Sequence, residues 1–495
     1  MGEAGEAQNI THQQKKMDTE AIRSFRDRFQ IPVHDDQLEQ VPFLRFPEGS
    51  REAEYMKARR KELGGDRPRR RRKAAASLEV PGLDGFKRFL DSTEDREIST
   101  TMALVQMIQT LARDKAIGPR VVPIVPDEGR TFGMEGMFRA MGIWSSVGQL
   151  YTPEDRAQLA FYREDKQGQV LQEGISEAGG MCDWIAAATA YSVHNVAMIP
   201  FYVFYSMFGF QRVGDLVWAA GDMRSRGFLC GGTAGRTTLN GEGLQHEDGH
   251  SHVMAATVPN CVPYDPTFQY ELAVIVQDGL RRMVKEQEDV FYYLTVMNEN
   301  YVHPALPKGA EADIVKGMYR FKQGGKDDGK SPRVQLLGSG TIFREVIAAA
   351  DLLKSHWGVD ADLWSCPSFT LLGRDGQARA REAMLHPESK HAPSHVEHCL
   401  GPTRGPVVAA TDYVRAFAEQ IRSYVPRRFV VLGTDGFGRS DTREKLRRFF
   451  EVDRHHVAVA ALKALADEGA VPTSKVSEAM KKYGIDPKKP APWTV

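Results

Sequence analysis

At 495 residues the chain exceeds one ordinary domain and predicts two or three. Its 42% hydrophobic, 9% aromatic and 26% charged residues are the proportions of a soluble globular protein. Lys plus Arg and Asp plus Glu both number 65, so global charge gives no grounds to expect nucleic acid or an anionic membrane as partner.

The opening MGEAGEAQNITHQQKKMD is polar throughout, and no secretory signal is expected there. KKMDTEAIRSFRDRFQ predicts a charged amphipathic helix, followed by the loop IPVHDDQLEQVPFLRFPEGS and a second charged helix around Glu52 to Leu63. These pieces form a helical arm. The basic run from Arg67 to Lys73 reads as a solvated linker, because no aromatic residues interleave with its arginines; the alternative is a grip on phosphate or an acidic partner.

From Ser99 the texture becomes α/β. STTMALVQMIQTLARD has apolar residues at helical spacing, and VVPIVPD reads as a short buried strand. WIAAATAYSV (helix), MIPFYVFY (strand), RVGDLVWAAGDMRSRG (helix) and GFLCGGT (strand) continue the alternation, as do ELAVIVQDGLRRMV and DVFYYLTVM. Strand and helix in turn predict a mainly parallel, doubly wound sheet. Trp184 to Phe210 holds no Asp, Glu, Lys or Arg and has the length of a membrane span, but Ser192, His194, Asn195, Pro200 and Gly209 interrupt it. No membrane association is expected.

The stretch from Pro304 to Ser331 is rich in Pro, Gly and charge and reads as a linker. A further α/β unit then runs from VQLLGSG through TIFREVIAAADLLKSHWG, DADLWSC, PVVAATDYVRAFAEQIRSYV and RRFVVLGTDGFGRSD to a helical C-terminal region. Five cysteines, at 182, 230, 261, 366 and 399, form an odd set without a CxxC pair. That fits reduced thiols in a cytoplasm and opposes a disulfide framework or a Cys-based zinc site.

Ligands of open α/β sheets sit beyond the strand C-termini, so the polar residues there are the candidates for chemistry. Asp127 and Glu128 follow VVPIV directly, as solvated loop carboxylates or as functional acids. Glu173 and Glu177 precede a buried helix; they either complement its macrodipole or place a carboxylate against an apolar wall that raises its pKa. GGTAGRTTLNGEGLQHEDGHSH gathers glycines ahead of His246, Glu247, His250 and His252. His246 to His250 matches the HExxH zinc-peptidase pattern, with Glu271 as a third ligand. Gly249 inside the pattern and the Gly-rich approach argue instead for a loop with converging imidazoles, serving as acid-base groups or bonding the backbone. GTDGFGRSD lacks both P-loop and GxGxxG spacing, and Asp441 with Glu444 reads as the N-cap of a following helix.

The segments IVPDEGRTFGMEGMF, LQEGISEAGG, IPFYVFYSMFGFQRVGDL, GGTAGRTTLNGEGLQHEDGHSH, TVMNENY and VLGTDGFGRSDTREKLRRFFEVD, with NITHQQKKMD at the start, together resemble one family. It is the homodimeric bacterial pyruvate dehydrogenase, the thiamine-diphosphate-dependent decarboxylating component of the pyruvate dehydrogenase complex. The fold this implies is a transketolase-like pyrimidine domain at 95–310 and a C-terminal transketolase-like α/β domain at 331–495. A linker at 311–330 joins them, and 1–94 is the tail of a diphosphate-binding domain with the basic linker. In the family that domain carries a GDG motif and a later Asn that hold magnesium and the diphosphate. No GDG occurs in this sequence, so the magnesium ligands are expected outside it and another polypeptide would have to supply the missing domain.

The resemblance further implies roles. Glu177 matches the glutamate that pairs with a ring nitrogen of the aminopyrimidine and activates it. Phe208 and Tyr205 match the aromatic residues around that ring. His246 matches the active-site histidine that polarises the keto oxygen or shuttles a proton, and Asp127 and Glu128 match active-centre acids. His12 matches a loop histidine used when the two-carbon unit passes to lipoamide. Implied partners are a second copy of the chain and the dihydrolipoyl acetyltransferase of the complex. Two other readings stand beside this one: a non-catalytic subunit that dimerises or docks on its relatives, and the zinc peptidase.

Overall fold

A computed structural model of the protein describes residues 5–13, 16–65, 71–126, 129–154, 162–327 and 329–495. The chain divides into two compact units, Met1–Arg70 and Arg71–Val495. In the first, helix α1 (Thr19–Arg28) is capped by the Asp18 side chain and α2 (Arg51–Glu62) by Ser50, each accepting from a first-turn N–H. Neither helix has a broad apolar face. Among the described residues of this unit the only buried hydrophobic side chains are Leu38 and Ala53.

The second unit holds two sheets. The first consists of β1 (Val121–Val125), β2 (Leu171–Gln172), β3 (Ile199–Tyr205), β4 (Phe228–Gly232), β5 (Cys261–Tyr264) and β6 (Phe291–Thr295), in the order β2-β1-β3-β4-β6-β5. Every pairing is parallel. Helices cover both faces, which is why β3, β4 and β6 read as near-continuous apolar runs rather than as alternation. Phe201 and Phe228, stacked at 4.5 Å on neighbouring strands, are fully buried. Each contributes roughly 2–3 kcal/mol by leaving water.

Helix α3 (Thr100–Ala112) presents Leu104, Ile108 and Leu111 inward, the spacing that identified it, and Ser99 caps it by accepting from the Met102 N–H at 3.1 Å. The uncharged stretch from Trp184 to Phe210 divides between α4 (Glu177–His194), β3 and the start of α5 (Phe210–Asp222). No helix among the described residues is long and apolar enough to cross a membrane. ELAVIVQDGL forms α6 (Gln269–Leu280), almost entirely buried.

The second sheet contains β7 (Tyr319–Lys322), β8 (Arg333–Gly338), β9 (Asp360–Ser365), β10 (Val407–Ala410) and β11 (Phe429–Leu432), ordered β11-β10-β8-β9-β7. Only the β7–β9 pairing is antiparallel. Helices α7 (Ile342–Trp357), α8 (Arg443–Phe449) and α9 (Arg454–Asp467) belong to this half.

Three expectations need correction. The 311–330 stretch is not simply a linker, because it contains the helix Glu311–Lys316 and the edge strand β7. Its YRFK alternation buries Tyr319 and exposes Arg320 and Lys322, a polar edge that reads as loop. Residues 71–94 belong to the second unit. Arg71 donates to the Ser192 and Val193 carbonyls, Arg226 donates to the Arg72 carbonyl, and Phe86 and Phe89 sit in the core. The cap of α8 is Thr442, one residue beyond the expected Asp441; Asp441 instead accepts from the Thr442 N–H.

The carboxyl ends of the two sheets meet. Asp265, just past β5 and fully buried, accepts from Thr295 Oγ1 at 2.7 Å, Ser339 Oγ at 2.7 Å and Tyr413 O–H at 3.3 Å. Gly340, at φ +52°, has no room for a β-carbon against that carboxylate. Glu271 accepts from the Thr267 and Phe268 N–H groups, from Tyr319 O–H at 2.6 Å and from Ser365 Oγ at 2.5 Å. Glu299 pairs with Arg447 of α8 and, at 2.6 Å, with Arg344 of α7.

Burial pushes the Asp265 carboxyl up to about 7, against an unfolded value of about 4. The folded state therefore binds more protons between those values, and this group's contribution to stability is full below about pH 4 and lost as pH rises through 7. Asp265→Asn, a neutral isostere, is expected to flatten stability between pH 4 and 7, measured as the urea midpoint at each pH; an unchanged slope would refute the assignment.

Candidate functional site

The site lies beyond the carboxyl ends of β2, β3 and β4. After β2 the chain turns through Glu173 to Ser176, whose side chain accepts from the Gly179 N–H at 3.1 Å and starts α4. Glu177 is thus the first residue of the helix, where the macrodipole favours a negative charge. Tyr202 of β3 donates its O–H to the Glu177 carbonyl at 3.0 Å. A β-carbon on Gly180 would lie 2.7 Å from the Tyr202 ring, so the glycine lets helix and strand approach.

β3 ends at Tyr205 and passes through a 3-10 turn, Ser206–Phe208, into α5. From α5, Arg212 Nη1 donates to both Glu177 carboxylate oxygens at 3.0 Å, and its guanidinium lies 4.0 Å over the Phe208 ring. The Glu177 side chain is 13% exposed and Arg212 is 52% exposed, so the pair closes a slot that opens to solvent on the arginine side. His246 packs at 5.1 Å from the Tyr205 ring and 5.2 Å from Phe208, with Phe132 behind Tyr205. Glu177, Arg212, Phe208, Tyr205 and His246 are therefore contiguous.

The histidine segment is a 3-10 turn, Leu244–His246, followed by a loop, with a helix only from Ser251. The HExxH imidazoles consequently share no helix face. Nor do the imidazoles converge as expected: His246 faces the slot, His250 meets Gln211, and His252 is buried against Phe417 with Nε2 2.9 Å from Thr295 Oγ1. Burial lowers the His252 pKa to about 3, which makes it a neutral core residue. Asp248 accepts from the His250 and Ser251 N–H groups and from Ser251 Oγ, fixing the helix start. Glu271, the proposed third zinc ligand, has its oxygens occupied by the hydrogen bonds given above. No group of three His, Cys, Asp or Glu among the described residues is placed to hold a metal.

His246 Nδ1 is buried with no hydrogen-bond partner; the nearest carboxylate oxygen, on Glu242, is 3.9 Å away. Glu247 is fully buried, and neither of its oxygens has a partner. Burial, with the nearby Asp412 charge, raises its carboxyl to about 9, so it is neutral at pH 7. A second raised carboxyl lies on α4: burial and then the charge of Glu173 lift Asp183 to about 6.

Asp127 and Glu128 lie outside the described residues, between the buried Pro126 and Gly129. His12 closes the 3-10 turn Asn9–His12 of the first unit. The sequence reading missed Arg212 and Glu247. Arg212 stands four residues after Phe208, a spacing that brings side chains together on a helical turn, and that signal was available. Nothing in the pattern marks Glu247 as the unpaired acid.

Residues 78–304 match the family description "Pyruvate dehydrogenase E1 component middle domain", and residues 317–453 match "Transketolase-like TK C-terminal domain". The pyruvate dehydrogenase E1 component of Cupriavidus necator is 68% identical over 100% of this chain and 55% of its own length. That of Escherichia coli K12 is 53% identical over 99% of this chain and 55% of its own length. The chain thus spans about half the length of the curated relatives it matches. Among solved structures, transketolase from Leishmania mexicana superposes with a TM-score of 0.58 at 18% identity, covering 80% of this chain and 50% of that one. Transketolase from Campylobacter jejuni gives 0.55 at 16% identity, over 78% and 48%. Those two likenesses establish the transketolase-like α/β fold, and the identities over the whole chain place this protein in the pyruvate dehydrogenase E1 component family.

Proposed function

We propose that this chain forms the pyrimidine-binding side of a pyruvate dehydrogenase that decarboxylates pyruvate and passes the acetyl unit to lipoyl groups of a dihydrolipoyl acetyltransferase. The observation that carries the reading is the slot in which the Glu177 carboxylate faces the Phe208 ring across a flat guanidinium. A flat, nitrogen-bearing, hydrogen-bonding cation already sits there, so the slot's shape and donor set fit the aminopyrimidine of thiamine diphosphate. When bound, that cofactor supplies the electron sink for the acyl carbanion that loss of carbon dioxide leaves behind.

The chain's residues do the rest. Glu177 holds the proton at a pyrimidine ring nitrogen and thereby favours the activating tautomer. Phe208 stacks on the ring, and Tyr205 walls the pocket. His246, with an unengaged Nδ1, polarises the keto oxygen or shuttles a proton. Asp127 and Glu128 act as further acids, and His12 serves the step to lipoamide. Magnesium and the diphosphate are held by a domain on another polypeptide, and the working assembly contains two copies of this chain. The exposed Phe29, Phe43 and Tyr55 of the first unit support a covering body of this kind.

Mixing the chain with a separately expressed diphosphate-binding half should restore pyruvate-dependent reduction of an artificial acceptor. Glu177→Ala should then lower the rate at least ~100-fold. A silent mixture would point to the non-catalytic subunit, and an active Glu177→Ala mixture would overturn the role given to Glu177. Titration calorimetry of the chain alone with thiamine diphosphate and magnesium should show no micromolar binding; micromolar affinity would refute the need for the second polypeptide.

A further inference from the structure

We propose that Gly438, in the glycine-rich loop after β11, is a positioning residue for His246; its place at the slot rests on the functional reading above. The second-sheet half meets the histidine loop at four points. Arg236, buried, donates through Nη1 to the Gly436 carbonyl. The Gly241 N–H donates to the Asp441 carbonyl at 3.0 Å, and the Arg443 N–H donates to Asn240 Oδ1 at 3.0 Å. At the fourth point no hydrogen bond is made, only contact: a β-carbon on Gly438 would lie 2.5 Å from Glu247 Cβ, 2.9 Å from the Leu244 carbonyl oxygen and 3.0 Å from Glu247 Cγ.

The loop therefore lies flush against the turn Leu244–His246 that carries the imidazole. Gly438 does not have a positive φ. Glycine is required there by the closeness of the turn rather than by backbone conformation. No hydrogen bond fixes His246 Nδ1, so packing sets the ring's place: Tyr205 and Phe208 on the slot side, and the turn held by Gly438 behind the backbone. Nearby Phe437 is 81% exposed and takes no part in this contact. This gives the C-terminal half a role at the slot although none of its side chains enters it.

The test uses the full chain with 13C-labelled histidine, its His246 signals assigned by their loss in His246→Gln. Gly438→Ala should shift the His246 ring signals away from their wild-type positions and leave those of His252 in place. Adding Glu247→Gly should return the His246 signals toward wild type by removing the colliding β-carbon. Arg236→Gln, which releases the loop's other anchor, should shift the same signals and serves if Gly438→Ala does not fold. Unmoved His246 signals, or equal movement of His246 and His252, would overturn the proposal. The functional reading fails separately, if wild-type chain mixed with the diphosphate-binding half gives no acceptor reduction.

Discussion

Two parallel sheets that end at the same place create a problem of polar groups, and Asp265 is how this chain meets it. Each sheet is covered by helices on both faces, so its strands can be almost wholly apolar. Their carboxyl ends cannot, because the loops there carry unpaired backbone groups and must turn sharply. Pressing the two ends together removes water from that region. Asp265 then collects hydroxyls from β6, from the end of β8 and from Tyr413, one carboxyl group tying both halves. A half-satisfied network at this depth would be worse than an apolar seam, and satisfaction of every lone pair is what fixes the register of one half on the other.

The slot depends on that seam. Its acid and aromatic residues come from α4, β3 and the turn into α5, all in the first half. Its histidine comes from a long loop that the second half stitches into place. The separation has a chemical logic: Glu177 and Phe208 sit on regular elements, which hold a flat ring to within small tolerances, whereas His246 sits on a turn without a hydrogen bond to its inner nitrogen. Glu247, neutral and unpaired beneath that turn, costs stability, since a buried carboxyl without a partner loses its hydration uncompensated. Such a cost persists where a backbone position matters more than the side chain it carries.

Much of this was legible in the residues. MIPFYVFY, GFLCGGT, DVFYYLTVM, VQLLGSG and DADLWSC declared their strands because parallel strands bury both faces, and apolar runs of that length survive any context. The short strands were not legible. CVPY is four residues with a proline, LQ is two, and YRFK hides in a charged stretch; each exists because a neighbour supplies the pairing. At the slot, residue identity and local spacing pointed to Glu177, Phe208, Tyr205 and His246. What they do to one another was not legible, because Arg212's bidentate reach and the divergence of three nearby imidazoles are set by tertiary packing.

Arg71 has a consequence at the opposite end of the molecule's chemistry. It grips the last carbonyls of α4, the same helix whose first residue is Glu177. Eighteen residues of helix make a rod about 27 Å long. A strain applied where the chain enters the second unit is therefore carried along a stiff spar to the carboxylate, and the entering strand acts as a tiller on the acid at the far end.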